Sequence, residues 1–392
     1  MPSRVLSFSL VLLFLIGAPS VARAGEKLTI AVHERDNLQH LVLWTAMAKA
    51  APLFEREGVD VEIVVPAKGT TPDAMVARGE ADAAILAPGA YLHLVSEKAP
   101  IVIVANVFRN DGYALVVRRA VAEARKVTGE GAIRDRLAAL KGATIGVPAA
   151  AFGRFKALLA SQGLDIDKDV KAEVLLARHQ ETSFRDAKVD AIFVATPALD
   201  KAVIAAGGVV VVNDARGEVP ELANRQTHVM AVSQRVLAQR RPVIAAAVRA
   251  IAAAEKRIHT SPGDVAADLA KSMPARDAKE IEAVVRLYEP AVPDSPEVRA
   301  QDLAPALALI PESIPKPNIA GIDLAPFVAT DLAASSSSGS RFGSVPSLAW
   351  IGIAAAVLSV VALVVVSRRR RRVSASGSTP SERRKGSAGN RP

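Results

Sequence analysis

Two stretches decide how this chain is read: GEADAAILAPGA at 79–90 and AKVDAIFVATPA at 187–198. Each sets Asp-Ala ahead of a short apolar run that ends, within a few residues, in proline and alanine. Around the first copy, KLTIAV (27–32) reads as a strand, NLQHLVLWTAMAKAAPLFEREG (37–58) as a helix closed by a glycine, and VDVEIVV (59–65) as an alternating strand. A turn follows in which Thr71 suits an N-cap, Pro72 the first helical position and Gly79 the C-cap. ADAAIL and APIVIVANVF supply two more strands. This β-α-β-α-β order calls for a parallel sheet covered by helices.

After YALVVRR (113–119) the order restarts. GATIGVPA (142–149), AFGRFKALLASQG (151–163), KAEVLLAR (171–178), ETSFRDAK (181–188) and VDAIFVA (189–195) read as strand, helix, strand, short helix and strand. The repeated phrase therefore marks one slot in each of two similar α/β lobes. Two such lobes face to face leave a cleft at the carboxyl ends of their strands, where loops and helix N-termini collect. VVVVNDARGE (209–218) and THVMAVSQ (227–234) read as strands returning to the first lobe, with helices packed on it afterwards. The chain then crosses between lobes near 111–118 and near 213–226, which is the layout of a hinge.

The ends of the chain have another character. Arg4 precedes an apolar run over 5–18, and Ala22-Arg23-Ala24 offers small residues for a signal peptidase, so cleavage is expected after Ala24. LAWIGIAAAVLSVVALVVV (348–366) has Ser359 as its single polar side chain. A helix of that length reaches about 28 Å, enough to span a hydrocarbon core. The arginines at 368–372 hold the following tail on the cytoplasmic side. Between body and span, ATDLAASSSSGSRFGSVPS (329–347) reads as a flexible tether, and the proline-rich IPESIPKPNIAGIDLAP before it as a wrap along the body's surface.

The 392 residues carry a net charge of +9, and its location matters more than its size. Nine basic residues and one acid lie in 368–392 and two arginines in the leader, while Arg341 and Asp331 cancel in the tether. The body keeps 37 basic and 38 acidic residues. The basic balance thus reports topology and gives no reason to expect a nucleic-acid partner. The absence of cysteine excludes disulfides, thiolate metal sites, a cysteine nucleophile and a lipidated N-terminal cysteine.

DNLQHLVLWTAMAKAAPLFEREGVDVEIVV with ARGEADAAILAPGA, then LKGATIGVPAAAFGRF with KVDAIFVATPAL, and the late SQRVLAQRRPVIAAAVRAIAAAEKRI resemble the periplasmic substrate-binding proteins of the sulfonate, nitrate, taurine and thiamine-precursor type. The resemblance covers 27–272. It implies an α/β, two-lobed type II periplasmic-binding-protein fold with a hinged inter-lobe cleft, here joined to one C-terminal transmembrane helix. It also implies capture of a small-molecule ligand for an ABC permease and its ATPase. The organisation expected is a signal peptide (1–24), first part of lobe 1 (25–112), lobe 2 (113–212), return segment and C-terminal helices of lobe 1 (213–328), flexible stalk (329–347), transmembrane helix (348–366) and basic cytoplasmic tail (367–392). The body is then extracytoplasmic and membrane-anchored. A tethered binding domain also suits a sensor or a regulator of another membrane protein.

Strand ends nominate the ligand-binding residues: His33 and Asn37 after the first strand, Gly69, Thr70 and Thr71 after the second, Ala87 and Pro88 after the third, Asn106 after the fourth, and Phe152, Gly153, Arg154 and Thr196 from the second lobe. Helix N-termini at Thr70 and Thr71 suit an anionic head group, although capping alone also explains Thr71. His33 reads equally as a ligand contact or a surface residue, Gly69 as a turn or a close approach, and Arg154 as an anion clamp or a solvated helix residue. Asp82 and Asp190 fall at strand beginnings, the wrong end of the sheet for a cleft, and read as loop or cap residues. Trp44 falls on a core stripe. The histidines lack metal-ligand spacing, and neither metal nor cofactor is expected. An enzyme on the same fold is the alternative from another class, but no nucleophile elbow, phosphate loop or Ser-His-Asp order is visible. Scarce aromatics argue against a ring-rich ligand and leave small organic anions as the favoured class.

Overall fold

The computed structural model describes residues 25–337 apart from 36, 204–205, 221 and 312–313. The leader, most of the tether, the apolar segment 348–366 and the basic tail lie outside the described residues. Within them, no helix is long and apolar enough to cross a membrane.

The first half of the body folds as β1 (Glu26–Ala31), α1 (Leu41–Met47), α2 (Leu53–Arg56), β2 (Val59–Val64), α3 (Pro72–Arg78), β3 (Ala83–Leu86), α4 (Pro88–Ser96) and β4 (Ile101–Arg109). The helix expected over 37–58 is thus broken into a 3₁₀ turn, α1 and α2. Pro52 is the cause, since it disfavours helical backbone at the residue before it and supplies no N–H. The turn chemistry before β3 follows the sequence: Thr71 Oγ1 accepts the Ala74 N–H at 3.4 Å, and Gly79 closes α3 at φ +74°.

The second half contains β5 (Ala114–Val117), α5 (Arg119–Arg125), α6 (Ile133–Ala138), β6 (Thr144–Pro148), α7 (Phe152–Ser161), β7 (Lys171–Leu175), α8 (Ala177–Arg185), β8 (Ala191–Val194), α9 (Ala198–Val203) and β9 (Val209–Asn213). Then come β10 (Gln226–Ser233), α10 (Gln234–Thr260), α11 (Pro262–Ser272), α12 (Ala278–Tyr288) and, after a long strap, α13 (Thr330–Ser337). Non-helical backbone at Arg240, two residues before Pro242, kinks α10.

Two five-stranded mixed sheets result, ordered β2-β1-β3-β10-β4 and β7-β6-β8-β5-β9. In each, three parallel strands are followed by an antiparallel one. The repeated phrase supplies the middle strand of both sheets, β3 and β8, and all four residues of each are buried. Strands covered on both faces need such continuous apolar runs. VVVVN, expected to return to the first lobe, instead pairs with β5 as the outer strand of the second sheet. β10 alone makes the return.

The aspartates that open the repeated phrase perform one task twice. Asp82, one residue before β3, accepts hydrogen bonds from the Thr29 N–H (3.0 Å) and hydroxyl (3.1 Å) and pairs with Arg240 at 2.9 Å. Asp190, one residue before β8, accepts the Thr144 N–H at 2.9 Å and pairs with Arg118 at 3.3 Å. Each carboxylate pins a middle strand to its parallel neighbour at the amino end, away from the cleft, as strand position predicts.

Apolar side chains pack in three clusters. One covers the α1 face of the first sheet and continues through Ile281, Val284, Val285 and Tyr288 of α12 to Ile192 and Val194 of the second sheet. Another fills the far face of the second sheet beneath α7. The third lies between α4 and the strap, whose Leu303, Ile310 and Phe327 are buried. The tether's first turns are ordered as α13, with Leu332 and Ala333 buried. This corrects the flexible reading of 329–337: apolar positions four residues after Val328 let the segment pack on α10 and β4.

Glu255 on α10 is fully buried and neither carboxylate oxygen meets a hydrogen-bond partner. Burial holds its carboxyl well above the usual range, Asp294 adding to the shift and Arg109 opposing it. The folded state therefore keeps a proton that the unfolded chain releases, and stability falls as pH rises through this window. Glu255→Gln should gain on the parent protein by about 1.4 kcal/mol per pH unit above the ordinary carboxyl value. Denaturant unfolding between pH 5 and 8 reads this divergence; parallel curves would contradict it.

Candidate functional site

The parallel strands of both sheets end toward the passage between lobes, and two crossings form its hinge. Asn110 ties the first crossing to the second: its N–H donates to the Arg225 carbonyl (2.9 Å), its Nδ2 to the Ala215 carbonyl (2.7 Å), and its Oδ1 accepts the Asn224 N–H (2.7 Å). The Thr227 hydroxyl donates to its carbonyl. Asp214 N–H donates to the Tyr113 carbonyl at 3.0 Å. Gly112 lies between, where an added Cβ would stand 2.5 Å from Gln39 Nε2 and oblige that side chain to move.

From the first lobe, His33 is exposed beyond β1. Asn37 caps a 3₁₀ turn (Leu38–His40), its Oδ1 accepting the Gln39 N–H at 2.9 Å. Gly69 is exposed at φ +89° with open space around it, which fits the turn reading. Thr70 N–H donates to the Ala67 carbonyl, and Thr71 is an exposed cap. Ala87 caps α4 and Pro88 is its first, buried residue. Asn106 does not follow the fourth strand but lies inside it, 8% exposed, with Oδ1 unpartnered. The strand read as APIVIVANVF already encloses Asn106, and β4 runs on to Arg109.

From the second lobe, Phe152 and Gly153 are half-buried at the start of α7. Arg154 beside them is neither a solvated residue nor a free anion clamp. Its Nη1 is 3.2 Å from Asp111 Oδ1, its Nη2 donates to the Leu309 carbonyl, and its guanidinium lies 5.1 Å from the Tyr113 ring centroid.

Asn37 and Thr196 are brought together across the lobes. Thr196 Oγ1 donates to Asn37 Oδ1 at 3.2 Å, and its N–H donates to the Tyr288 hydroxyl, also at 3.2 Å. Tyr288 in turn donates to the Gly112 carbonyl at 3.1 Å. Four residues past Thr196, Asp200 pairs with Arg276 at 2.5 Å. The start of α9 is thereby held by both the first strand's loop and α12.

An aromatic floor escaped the sequence reading. His40 and His228 pack edge to face at 5.1 Å, with Phe108 5.8 Å from His228 and Tyr288 5.3 Å from Phe108. Trp44, buried as its spacing predicts, donates from Nε1 to the Asn37 carbonyl at 2.7 Å. Burial, then the charge of His33, pushes the His40 imidazole down to about 4. Burial depresses His228 further, and His40, His33 and Arg154 act in the same sense. Both rings are neutral at physiological pH, and the Nδ1 of each has no protein partner.

The acids at the crossings were also missed. Asp111 is raised by burial against the pull of Arg154 and the Gly112 and Tyr113 amides. Asp214 stands well above the ordinary range through burial, then Asp111 and Glu218, with Arg154 opposing. A signal existed: Asn-Asp recurs at 110–111 and 213–214, directly after or at the end of the outer strands β4 and β9. No sequence signal links His40 to His228. Among the described residues, no cluster of three or more His, Cys, Asp or Glu is placed to hold a metal ion.

Matching sheets, a double crossing and an interposed cleft define a two-lobed periplasmic-binding-protein fold. The family model described as NMT1/THI5 like matches residues 37–265, and the chain belongs to that family. Three solved structures share the fold. A Bordetella bronchiseptica RB50 protein is 22% identical, with TM-score 0.53, 80% of this chain covered and 97% of that one. The periplasmic aliphatic sulphonate binding protein SsuA from Escherichia coli is 17% identical, with TM-score 0.51 and coverage of 72% and 89%. The periplasmic sulfonate-binding protein SsuA from Methylobacillus flagellatus KT is 16% identical, with TM-score 0.52 and coverage of 80% and 94%. No curated protein sequence matches the chain.

A histidine whose folded value is depressed contributes stability above its unfolded value and loses it as pH falls toward the folded one. His40 should therefore cost about 1.4 kcal/mol per pH unit between roughly 6.5 and 4. His40→Gln should flatten the acid limb of the stability curve in denaturant melts at pH 7, 6 and 5. An unchanged limb would mean that His40 is charged or solvated in the fold.

Proposed function

We propose that the body is the extracytoplasmic solute-binding component of an ABC importer, closing its lobes on a small solute and presenting it to a permease and its ATPase. The bridge from Thr196 to Asn37 and Tyr288 carries this reading, because it joins strand-end loops of opposite lobes directly above the hinge. A solute that bonds both sides favours the closed arrangement by its differential contacts. Family membership and the fold shared with sulfonate-binding proteins support the same assignment. Sulfonate, nitrate, taurine and thiamine-precursor solutes are the candidate classes. Catalysis is not part of this proposal.

The apolar segment 348–366 is the proposed membrane anchor, with 367–392 cytoplasmic and cleavage after Ala24 freeing the other end. The ligand-binding set proposed on the cleft wall comprises His33, Asn37, Thr70, Ala87, Phe152, Gly153 and Thr196.

In a thermal-shift panel of alkyl sulfonates, taurine, nitrate, pyrimidine thiamine precursors and amino acids, a cognate solute at 100 times its Kd should stabilise residues 25–337 by about 2.7 kcal/mol. Silence across the panel from folded protein favours the alternative, a sensor or regulator with a protein partner. Truncation after Ser337 should move the protein from the membrane to the soluble fraction; retention there would remove 348–366 from its proposed role.

A further inference from the structure

The last turn of α10 carries a histidine that the cleft does not use. His259 Nδ1 lies 2.8 Å from Glu289 Oε1, and its Nε2 lies 3.3 Å from the Pro293 carbonyl and 3.8 Å from Asp294 Oδ1. A carboxylate and a carbonyl only accept, and a neutral imidazole has one N–H to give, so both contacts are hydrogen bonds only when the ring holds two protons. Imidazole is the stronger base of the pair, which leaves the second proton on the ring. The carbonyl end of a 27-residue helix favours a cation at the same place. The ring is 24% exposed, so solvent protons reach it.

The segment that His259 holds lies against the hinge. On the second crossing, Asn213 Nδ2 donates to the Leu287 carbonyl at 2.9 Å, and the 3₁₀ turn Asp214–Arg216 packs on the turn Glu289–Ala291. On the first, Tyr288 donates to the Gly112 carbonyl, and Arg109 Nε, one residue before Asn110, donates to the Pro290 carbonyl at 3.4 Å. Tyr288 also receives the Thr196 N–H from the second lobe. Residues 287–294 thus touch both crossings and the opposite lobe, and His259 ties them to α10 of the first.

We propose that His259 is a proton-operated clasp on the hinge: as an imidazolium it fixes residues 289–294 against α10 and keeps the lobes joined, and loss of its second proton frees them to separate. When that proton leaves, a ring lone pair faces Glu289 or the Pro293 carbonyl, and the contact turns from attraction to repulsion. Tyr288 then loses the support that aligns its hydroxyl with Gly112 and Thr196. Among the charged groups around the ring, Glu289 and Asp294 favour the imidazolium, and Arg109, 3.1 Å from the other oxygen of Asp294, opposes it. Glu255, one turn earlier on α10, and Asp214, on the facing turn, have carboxyls that burial raises well above the ordinary range, so they add little charge. Lys256 and Arg216 are exposed and screened by solvent. Lobe motion is coupled to protons in this way whatever solute the cleft takes.

The test uses the full chain without solute. Since the sequence has no cysteine, spin labels at Lys68→Cys and Lys156→Cys, exposed positions on opposite lobes, report the lobe separation. Distances are read at about pH 5.5 and about pH 8.5, on either side of the range in which imidazoles change charge. The parent protein should give a narrow distribution in acid and a broader one, shifted to longer distance, in base. His259→Arg, whose charge and several N–H groups persist at both pH values, should stay narrow throughout, and His259→Gln should be broad throughout. If His259→Gln does not fold, Glu289→Gln, which keeps an acceptor but removes its charge, should move the transition to lower pH. Nitrogen NMR of the ring, assigned by its loss in His259→Arg, should show two N–H groups in acid. A single N–H there overturns the proposal. So does a parent distribution that ignores pH, or a transition that persists unchanged in His259→Arg, since Glu255 or Asp214 would then drive it. A solute that stabilises the protein in the thermal panel supports the receptor reading whichever way the labels behave, so the two fail separately.

Discussion

The first sheet takes its fourth strand from beyond the whole of the second lobe. β5 leaves the first lobe to lie antiparallel on β8, and β10 leaves the second to lie antiparallel between β3 and β4. The first sheet is complete only when the chain has passed to the second lobe and back, so the paired crossings are backbone on which the first core depends. Asn110 concentrates the constraint, since its amide and backbone groups bond residues 215, 224, 225 and 227 on the second crossing. A buried asparagine with its donors and acceptors satisfied fixes one geometry of approach and leaves rotation about the paired crossings as the soft motion.

That double crossing also sets the electrostatics of the cleft. The first crossing puts the Asp111 carboxylate on Arg154, the cation that strand position alone would offer to an anion. Burial makes ionisation of Asp111 and Asp214 expensive and raises both carboxyls. The floor of Trp44, His40, His228, Phe108 and Tyr288 extends this effect, with two imidazoles kept neutral by the same loss of hydration.

The lobes are also joined beyond the hinge. α12 packs against α11 on one side and α9 on the other, and the apolar cluster running through it reaches both sheets. Asp200 held by Arg276 and Thr196 by Tyr288 seat α9 on α12. The strap contributes from another direction through the Leu309 carbonyl on Arg154.

Much of this was legible in the sequence. Alternating periodicity placed most strands and helices, Thr71, Pro72 and Gly79 marked the ends of α3, and the repeated Asp-Ala phrase located both middle strands, because these features depend on residues within one or two turns of each other. Of the nominated ligand-binding residues, Asn106 lies within a strand and Arg154 in an ion pair with Asp111, a partner that local sequence does not display. What tertiary structure alone decided was partnership: Arg154 with Asp111, Thr196 with Asn37, His40 against His228, and β9 with the second sheet. Such pairings join residues distant in the chain, and their chemistry changes when water is removed, turning a basic side chain into a neutralised one and a histidine into an uncharged ring. Local sequence fixes backbone conformation and the face each side chain presents. Which charge remains available, and to what, follows only from burial and from the company each group keeps.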